Sequence, residues 1–412
     1  MIGNRVIFFL ANRISSLVGS GSGRVMVRIA MSTIAVSVAV MVVSLFVITG
    51  FQNEITSKVV GFANHLSITS LSGKDILPLS ADALYVNEVK KLDFVESIEP
   101  VTNKTGIIKN QQGVRGAVLK GVTKDYNFEF LYSSLVEGRL PNILSDQKSK
   151  EVLISQRISS DMKISLGDKF EMMFISGTQV YRDRLEVVGI YSTSLAEFDE
   201  VSVIGDIKVA SRVSGFSEGE VERFEIIIDD FSKLDSYHAQ VEDVVFEFVS
   251  DDEPVCIVPI TEDYIAIFDW LSLQNTNIWI VLVVMVFVSA FSMIAMMLII
   301  LLDKSSMIGI LKSMGMNNST LQRLFLWRSS FIIVKGVVTG ASLALVLCLI
   351  QDRFKVLTLP ADGYFIDYVP IEINYIYLCA VMVYSVVALL LLQTLPVRVI
   401  SKMSPHDSIK YS

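Results

Sequence analysis

The chain has 412 residues, 52% of them hydrophobic, and a mean hydropathy of +0.54, which excludes an ordinary soluble globular protein. Its three cysteines and three histidines fall into no ligand spacing, which excludes a disulfide-stapled scaffold and a zinc site. The net charge of −8 argues against a nucleic-acid partner.

Residues 1–28 come first. "NRVIFFLANRI" at 4–14 places apolar residues between Arg5 and Arg13 and reads as an amphipathic helix on the inner membrane face. "GSGSGR" at 19–24 lacks the spacing of a phosphate loop, so it is expected to be a connector, and no nucleotide site exists elsewhere. Four apolar runs follow along the chain: Ile29–Gly50, Ile278–Leu302, Phe331–Ile350 and Ile376–Leu395. A helix of roughly 20 residues crosses a hydrocarbon core, and each run reaches that length. The first run is longer than the apolar part of a signal peptide, and "ITGFQNE" after it offers no small-residue cleavage pattern, so it reads as a retained span.

Charge fixes the expected orientation. Residues 51–277 hold 21 basic and 37 acidic side chains, whereas the rest of the chain carries a balance of +8. The basic residues outside that segment cluster at Arg5, Arg13, Arg24 and Arg28, at Lys304, Lys312, Arg323 and Arg328, and at Arg398, Lys402 and Lys410. By the positive-inside rule those segments are cytoplasmic, with both termini inside and residues 51–277 and 351–375 outside. The chain thus divides into spans 29–50, 278–302, 329–350 and 376–395, with cytoplasmic segments 1–28, 303–328 and 396–412.

Both ends of the outer segment read strand–helix–strand: "HLSITS", "DALYVNEVKKLDFV", "SIEPV" and then "RFEIIIDD", "FSKLDSYHAQVEDVVFEF", "EPVCIVPI". Between them, about 111–216, strands dominate in "VRGAVLKGV", "KEVLIS", "DKFEMMF" and "RLEVVGIY". The expected fold class is an α-helical membrane protein with four spans and a large α+β outer domain inserted between the first two. That domain would comprise two strand–helix–strand lobes and a β-rich insertion. Glu197 and Asp199 form a carboxylate pair of the kind chance supplies in so acidic a domain, and "DDEPV" at 251–255 reads as a solvated turn.

"DKSSMIGILKSMG" at 303–315 follows the second span. At 100° per residue, Met307, Ile310, Leu311 and Met314 share an arc of about 100°, while Ser305, Ser306, Gly309, Lys312 and Ser313 lie opposite. Gly315 stands where a helix C-terminus favours glycine. A short helix with an apolar stripe at a membrane surface either anchors itself in lipid or docks into a partner's groove; the residues alone leave both open. In the third span Lys335 either snorkels to nearby headgroups or meets another span. Trp270, Trp279 and Trp327 stand at span ends as interfacial anchors.

"DKSSMIGILKSMGMNNSTLQRLFLW" after a long apolar span resembles the coupling segment of FtsX-like/MacB-type ABC permeases, particularly the lipoprotein-releasing LolC/LolE group. "MVVSLFVITGFQNEITSKVVGFANHLSI", with Gly50, Phe51 and His65, is similar to the first span and exit strand of that group. "VLKGVTKDYNF", "LVEGRLP", "EVLISQRISSDMKISLGDKFEMMF" and "LEVVGIYSTSLAEFDEVSVIG" resemble its periplasmic core, and "LPADGYFIDYVPIEI" and "LPVRVISKMSPHDSIKYS" its last loop and tail. The resemblance implies a non-catalytic permease of the bacterial inner membrane, binding no cofactor itself, paired with a second copy or paralogue and with separate cytoplasmic ATPase subunits that use ATP. It implies that the helix carrying Lys304, Met307, Ile308, Ile310, Leu311, Lys312, Met314 and Gly315 docks on the ATPase, with Ile308, Ile310, Leu311 and Met314 filling an apolar groove. Lipoprotein acyl chains would enter from the outer leaflet and the lipoprotein would pass to a periplasmic carrier.

Two departures stand out. Met307 occupies a position that is often acidic in the family, and only "ISGTQVYRDR" stands where the carrier-binding permease has a long hook. Tyr181 and Arg182 are expected near the tip or base of that short segment as the candidate carrier contact. The competing readings are an FtsX-type permease that signals to a cell-wall hydrolase and a MacB-type efflux permease. An outer domain this large argues against the first. Only 28 residues precede the first span, which argues against the N-terminally fused ATPase usual in the second.

Overall fold

The computed structural model describes residues 21–72, 75–110, 113–144, 147–177, 179–249, 254–359, 366 and 368–402, without side chains at 21–24, 71–72, 75–76 and 399–402. The expected amphipathic segment 4–14, most of the acidic run 251–255 and the tail beyond Lys402 lie outside them. The chain divides into two compact units, one formed by the spans and one by Asn53–Trp270 with a short piece of the last loop.

In chain order the elements are α1 (Gly21–Ala63), β1 (Leu66–Ser72), β2 (Asp75–Leu77), β3 (Leu79–Ser80), α2 (Leu84–Val89), β4 (Val95–Lys109) and β5 (Val114–Val122). Next come α3 (Glu129–Ser133), β6 (Leu135–Gly138), β7 (Glu151–Ser155), α4 (Gln156–Met162), β8 (Lys169–Ser176) and β9 (Gln179–Tyr191). Then follow α5 (Ala196–Asp199), β10 (Ser202–Asp206), α6 (Ile207–Ser214), β11 (Glu220–Val221), β12 (Arg223–Ile228), α7 (Leu234–Phe248), β13 (Val255–Pro259) and α8 (Ile260–Asp263). The chain closes with α9 (Ile265–Asp303), α10 (Ser305–Ser313), α11 (Asn318–Phe354) and α12 (Tyr375–Lys402).

Helices α1, α9, α11 and α12 contain the four apolar runs and are each long and apolar enough to cross a membrane. They extend past the runs: α1 begins at Gly21, so the last four residues of the expected connector are helical. Lipid gives no hydrophobic drive for helices to associate, so close packing must do the work. In α11, Gly336 and Gly340 stand four apart and face α1. A Cβ on Gly340 would lie 2.4 Å from the Ala35 carbonyl oxygen, and one on Gly336 2.8 Å from Ile34 Cγ2. The core of this unit joins Ile34, Val38 and Phe46 of α1 to Met293 and Met297 of α9, Ile333 and Val337 of α11 and Leu389 of α12. A buried polar link ties α11 to α12, where Gln393 Nε2 donates to Ser329 Oγ at 3.2 Å. Gly50 lets the end of the last loop lie directly on α1: an added Cβ would sit 2.8 Å from the Pro370 carbonyl, and Glu372 N–H donates to the Phe46 carbonyl.

In the outer unit both strand–helix–strand patterns form, as β1–α2–β4 and β12–α7–β13. They do not stand apart as two lobes. Their strands interleave in one antiparallel sheet ordered β13-β1-β12-β4, with α2 packed on α7. This is the split β-α-β arrangement, in which each unit's strands are separated by a strand of the other. The insertion between them continues from β4. There β4 pairs β5, β5 pairs β10, β10 pairs β7, β7 pairs β9, β9 pairs β8, and β8 returns to β4. Six strands therefore form a closed circuit around a core that includes Leu119, Val152, Ile154, Phe170, Met172, Phe174, Leu185 and Val203, with Ile158 of α4 and Val209 of α6. Alternation along each strand supplies this inward face.

Candidate functional site

The segment 303–315 is built from its C-terminal cap inwards. Gly315 adopts φ +88°, and Met316 N–H donates to the Leu311 carbonyl while Gly315 N–H donates to that of Lys312, both at 3.0 Å. This paired bonding is the Schellman stop that a left-handed residue permits, and glycine takes that conformation without Cβ strain. Helix α10 is thereby held to nine residues before Asn317 opens α11.

The orientation of α10 is the unexpected feature. Its apolar arc faces outwards: Ile310 is 53% exposed and Met314 79%, with Met307 and Leu311 half-buried. Its inner side is formed by Ile308, fully buried in the span core, and Gly309. Ile308 is thus not available to fill a partner's groove, correcting that expectation. On the helical wheel it stands about 60° beyond Leu311, on the flank that meets the spans. Lys304 pairs with the neighbouring Asp303 at 3.0 Å, and Lys312 is half-buried on the side away from the stripe. A hollow of about 450 Å³ opens at the C-terminal end, lined by Leu311, Met314, Gly315, Met316, Asn317 and Thr320.

The remaining candidates separate. Tyr181 and Arg182 lie near the turn end of the β8–β9 hairpin, opposite Phe174 and Met173. The turn joins Ser176 to Gln179, so no hook forms. Tyr181 packs half-buried on the barrel core while its hydroxyl donates to Gln179, and exposed Arg182 pairs with Glu171 at 3.6 Å. Lys335 is exposed on the α11 face that turns away from this chain's own spans, between Val334 and Val338, which are also exposed. Of the carboxylate pair, Asp199 is structural: it accepts from Thr193 N–H and Oγ1 and from Ser194 N–H in the turn before α5. Burial raises its pKa against those bonds.

A second site in the outer unit was not read from the sequence. Where α1 ends, Lys120 Nζ of β5 donates to the Phe62 carbonyl at 2.6 Å and lies 2.8 Å from Glu225 Oε2 of β12. Asn64, in the left-handed conformation at φ 61°, donates its side-chain amide to the same carboxylate oxygen at 2.7 Å. The ammonium also lies 5.1 Å from the centroid of the Phe62 ring and 5.4 Å from that of Tyr126. Burial works to discharge Lys120, but the Glu225 carboxylate outweighs it and the pKa is raised. Glu99, opposite Glu225 across the β4–β12 ladder, has its pKa raised by burial, and its Oε2 has no hydrogen-bond partner. The only sequence signal was a lysine inside the apolar run "AVLKGV", on the strand face opposite Ala117 and Leu119.

Beside this cluster a cleft of about 820 Å³ is lined by Asn64, His65, Glu96, Glu129, Asp229 and Asp230, among others. Phe130 enters it because Gly61 carries no side chain, a Cβ there falling 2.4 Å from the ring. Ile228 N–H donates to His65 Nδ1, so the proton of the neutral ring sits on Nε2. Burial lowers the His65 pKa to about 4, against the opposing effect of Asp229. Among the described residues no group of His, Cys, Asp and Glu could hold a metal ion.

Two family models match the chain: the MacB-like periplasmic core domain over residues 29–245 and the FtsX-like permease C-terminal region over 279–405. The chain is 21% identical to the lipoprotein-releasing system transmembrane protein LolE of Haemophilus influenzae, covering 90% of this chain and 91% of that one. It is 20% identical to the lipoprotein-releasing system transmembrane protein LolC of Xylella fastidiosa, with 92% of each covered. The periplasmic region of MacB from Actinobacillus actinomycetemcomitans overlays 51% of this chain and 95% of that one, at 13% identity and a TM-score of 0.33.

Proposed function

The chain belongs to the family of the MacB-like periplasmic core domain, completed by an FtsX-like permease C-terminal region, and on that premise we propose that it drives lipoprotein release from the inner membrane. It is an ABC-transporter permease of the LolC/LolE type and a multi-pass inner-membrane protein. In our reading ATP is hydrolysed on a separate cytoplasmic subunit and both termini of the permease are cytoplasmic. A second copy or a paralogue completes the transporter. The work done is extraction of lipoproteins from the outer leaflet for transfer towards the outer membrane, with or without a periplasmic carrier.

One observation supports this most directly: the apolar arc of α10 faces out while Ile308 and Gly309 face in. A surface helix of a self-contained protein turns its stripe to its own core. Here Ile310, Met314 and parts of Met307 and Leu311 are left for another body, and burying each such side chain contributes about 1.5–3 kcal/mol. Met307 supplies no charge, so docking rests on apolar area with Lys304 at its rim. The test is Ile310→Asp with Met314→Asp, both exposed and so harmless to the fold. The ATPase subunit should no longer co-purify with the permease, while membrane insertion is unchanged; undiminished co-purification would sink the docking role.

A further inference from the structure

The cluster at the end of α1 holds a buried cation that the docking reading does not use. Its geometry joins three elements that are distant in sequence. The Phe62 carbonyl belongs to the last turn of α1, which leaves it without a helical partner, and a cation at a helix C-terminus also meets the favourable end of the helix dipole. Lys120 belongs to the six-stranded circuit and Glu225 to the interleaved sheet. The backbone reinforces the join: Asn64 N–H donates to the Val60 carbonyl at 2.7 Å and His65 N–H to that of Ile226 at 3.0 Å.

Aromatic side chains extend the same joint towards α9. The buried Phe62 ring stacks on Phe198 with centroids 4.3 Å apart, and Phe198 meets Tyr264 edge-on at 5.2 Å, one residue before α9 begins. Arg223 of β12 pairs with Asp263 just before Tyr264 at 3.0 Å. The end of one membrane-entering helix and the start of the next therefore converge on a single hub around Lys120.

We propose that the Lys120–Glu225 pair, closed on the Phe62 carbonyl, is the joint that makes the end of α1 and the outer-domain barrel one moving part. The proposal rests on the reading of the chain as an ATP-driven permease and names the residues that would pass a displacement of the first span outwards. A buried pair is a poor source of net stability, since desolvation of both ions offsets most of their attraction. What it supplies is a fixed position. Three hydrogen bonds from two donors, two of them on one shared carboxylate oxygen, tolerate little change in length, whereas apolar contacts of the same area can slide.

The test follows from that distinction. Lys120→Met with Glu225→Met removes both charges and keeps volume, so the domain should fold with its thermal midpoint close to that of the parent. A fluorescent amino acid is placed at exposed Ile175 on the barrel hairpin, acceptor dye is placed in the bilayer, and the complete transporter is reconstituted with its ATPase subunit. In the parent, ATP should change the energy transfer between the two. In the double variant that change should be lost while the ATPase subunit still binds and hydrolyses ATP. A parental response in a folded double variant overturns the joint. Absence of any response in the parent overturns the ATP-driven reading itself and the joint with it. Should the double variant fail to assemble, Asn64→Ala, which removes one bond to Glu225, is read instead: a reduced response supports the joint and a full one overturns it.

Discussion

Two buried titratable groups in the outer unit respond to pH with opposite sign. The folded-state pKa of His65 lies near 4 against 6.5 when unfolded, so between those values the unfolded chain binds more protons. Stability should fall as pH drops through that window, by about 3 kcal/mol in total, because protonation of Nδ1 also removes the acceptor for Ile228 N–H. Glu99 is raised above 4.5, so the folded chain binds the extra proton and stability is lost as pH rises through its folded value. Thermal melts of the purified chain across pH 4 to 7 should show the first slope vanish in His65→Gln. In Glu99→Gln the second slope should vanish. Lys120→Met alone should cost about 3–5 kcal/mol by stranding the Glu225 carboxylate, and the double methionine variant should recover most of it. None of this was legible in the sequence, because a lysine, a glutamate and an asparagine some 50 to 160 residues apart become neighbours only through strand order.

At the scale of elements, the glycines separate two kinds of constraint. Gly340→Leu places a side chain into the backbone of α1 at Ala35, so α11 must move off, and expression of intact protein in detergent should drop sharply. Gly315→Ala meets no neighbour but must hold φ +88°; it should destabilise the α10 stop by about 1 kcal/mol, seen as faster hydrogen exchange at Met316 N–H. The four spans and the length of α10 were readable because length, apolar composition and a terminal glycine are local signals. Both strand–helix–strand units were readable for the same reason. Their interleaving and the closed circuit were not, since pairing of β8 with β4 joins residues about 65 apart and leaves no local trace. The wheel of α10 showed a stripe but not its direction, and Ile308, apolar yet off the stripe, turned out to be the residue that faces inwards.

For the molecule as a whole, orientation is the point on which the proposed function turns. Single-cysteine probes at Met314 and Ile175, both exposed, should react with a membrane-impermeant reagent from opposite sides of the membrane: Met314 only after the cell is opened, Ile175 in spheroplasts. Labelling of both from the same side would remove the scheme. Ile308 adds a mechanical consequence. Under the proposed function, a docking pad whose reverse side is wedged among the spans would pass a thrust on Ile310 and Met314 directly to the transmembrane packing. Shaving one methyl group from that wedge, Ile308→Val, should therefore leave the grip on the ATPase intact and blunt the stroke it delivers, two properties that a loosely tethered foot could not separate.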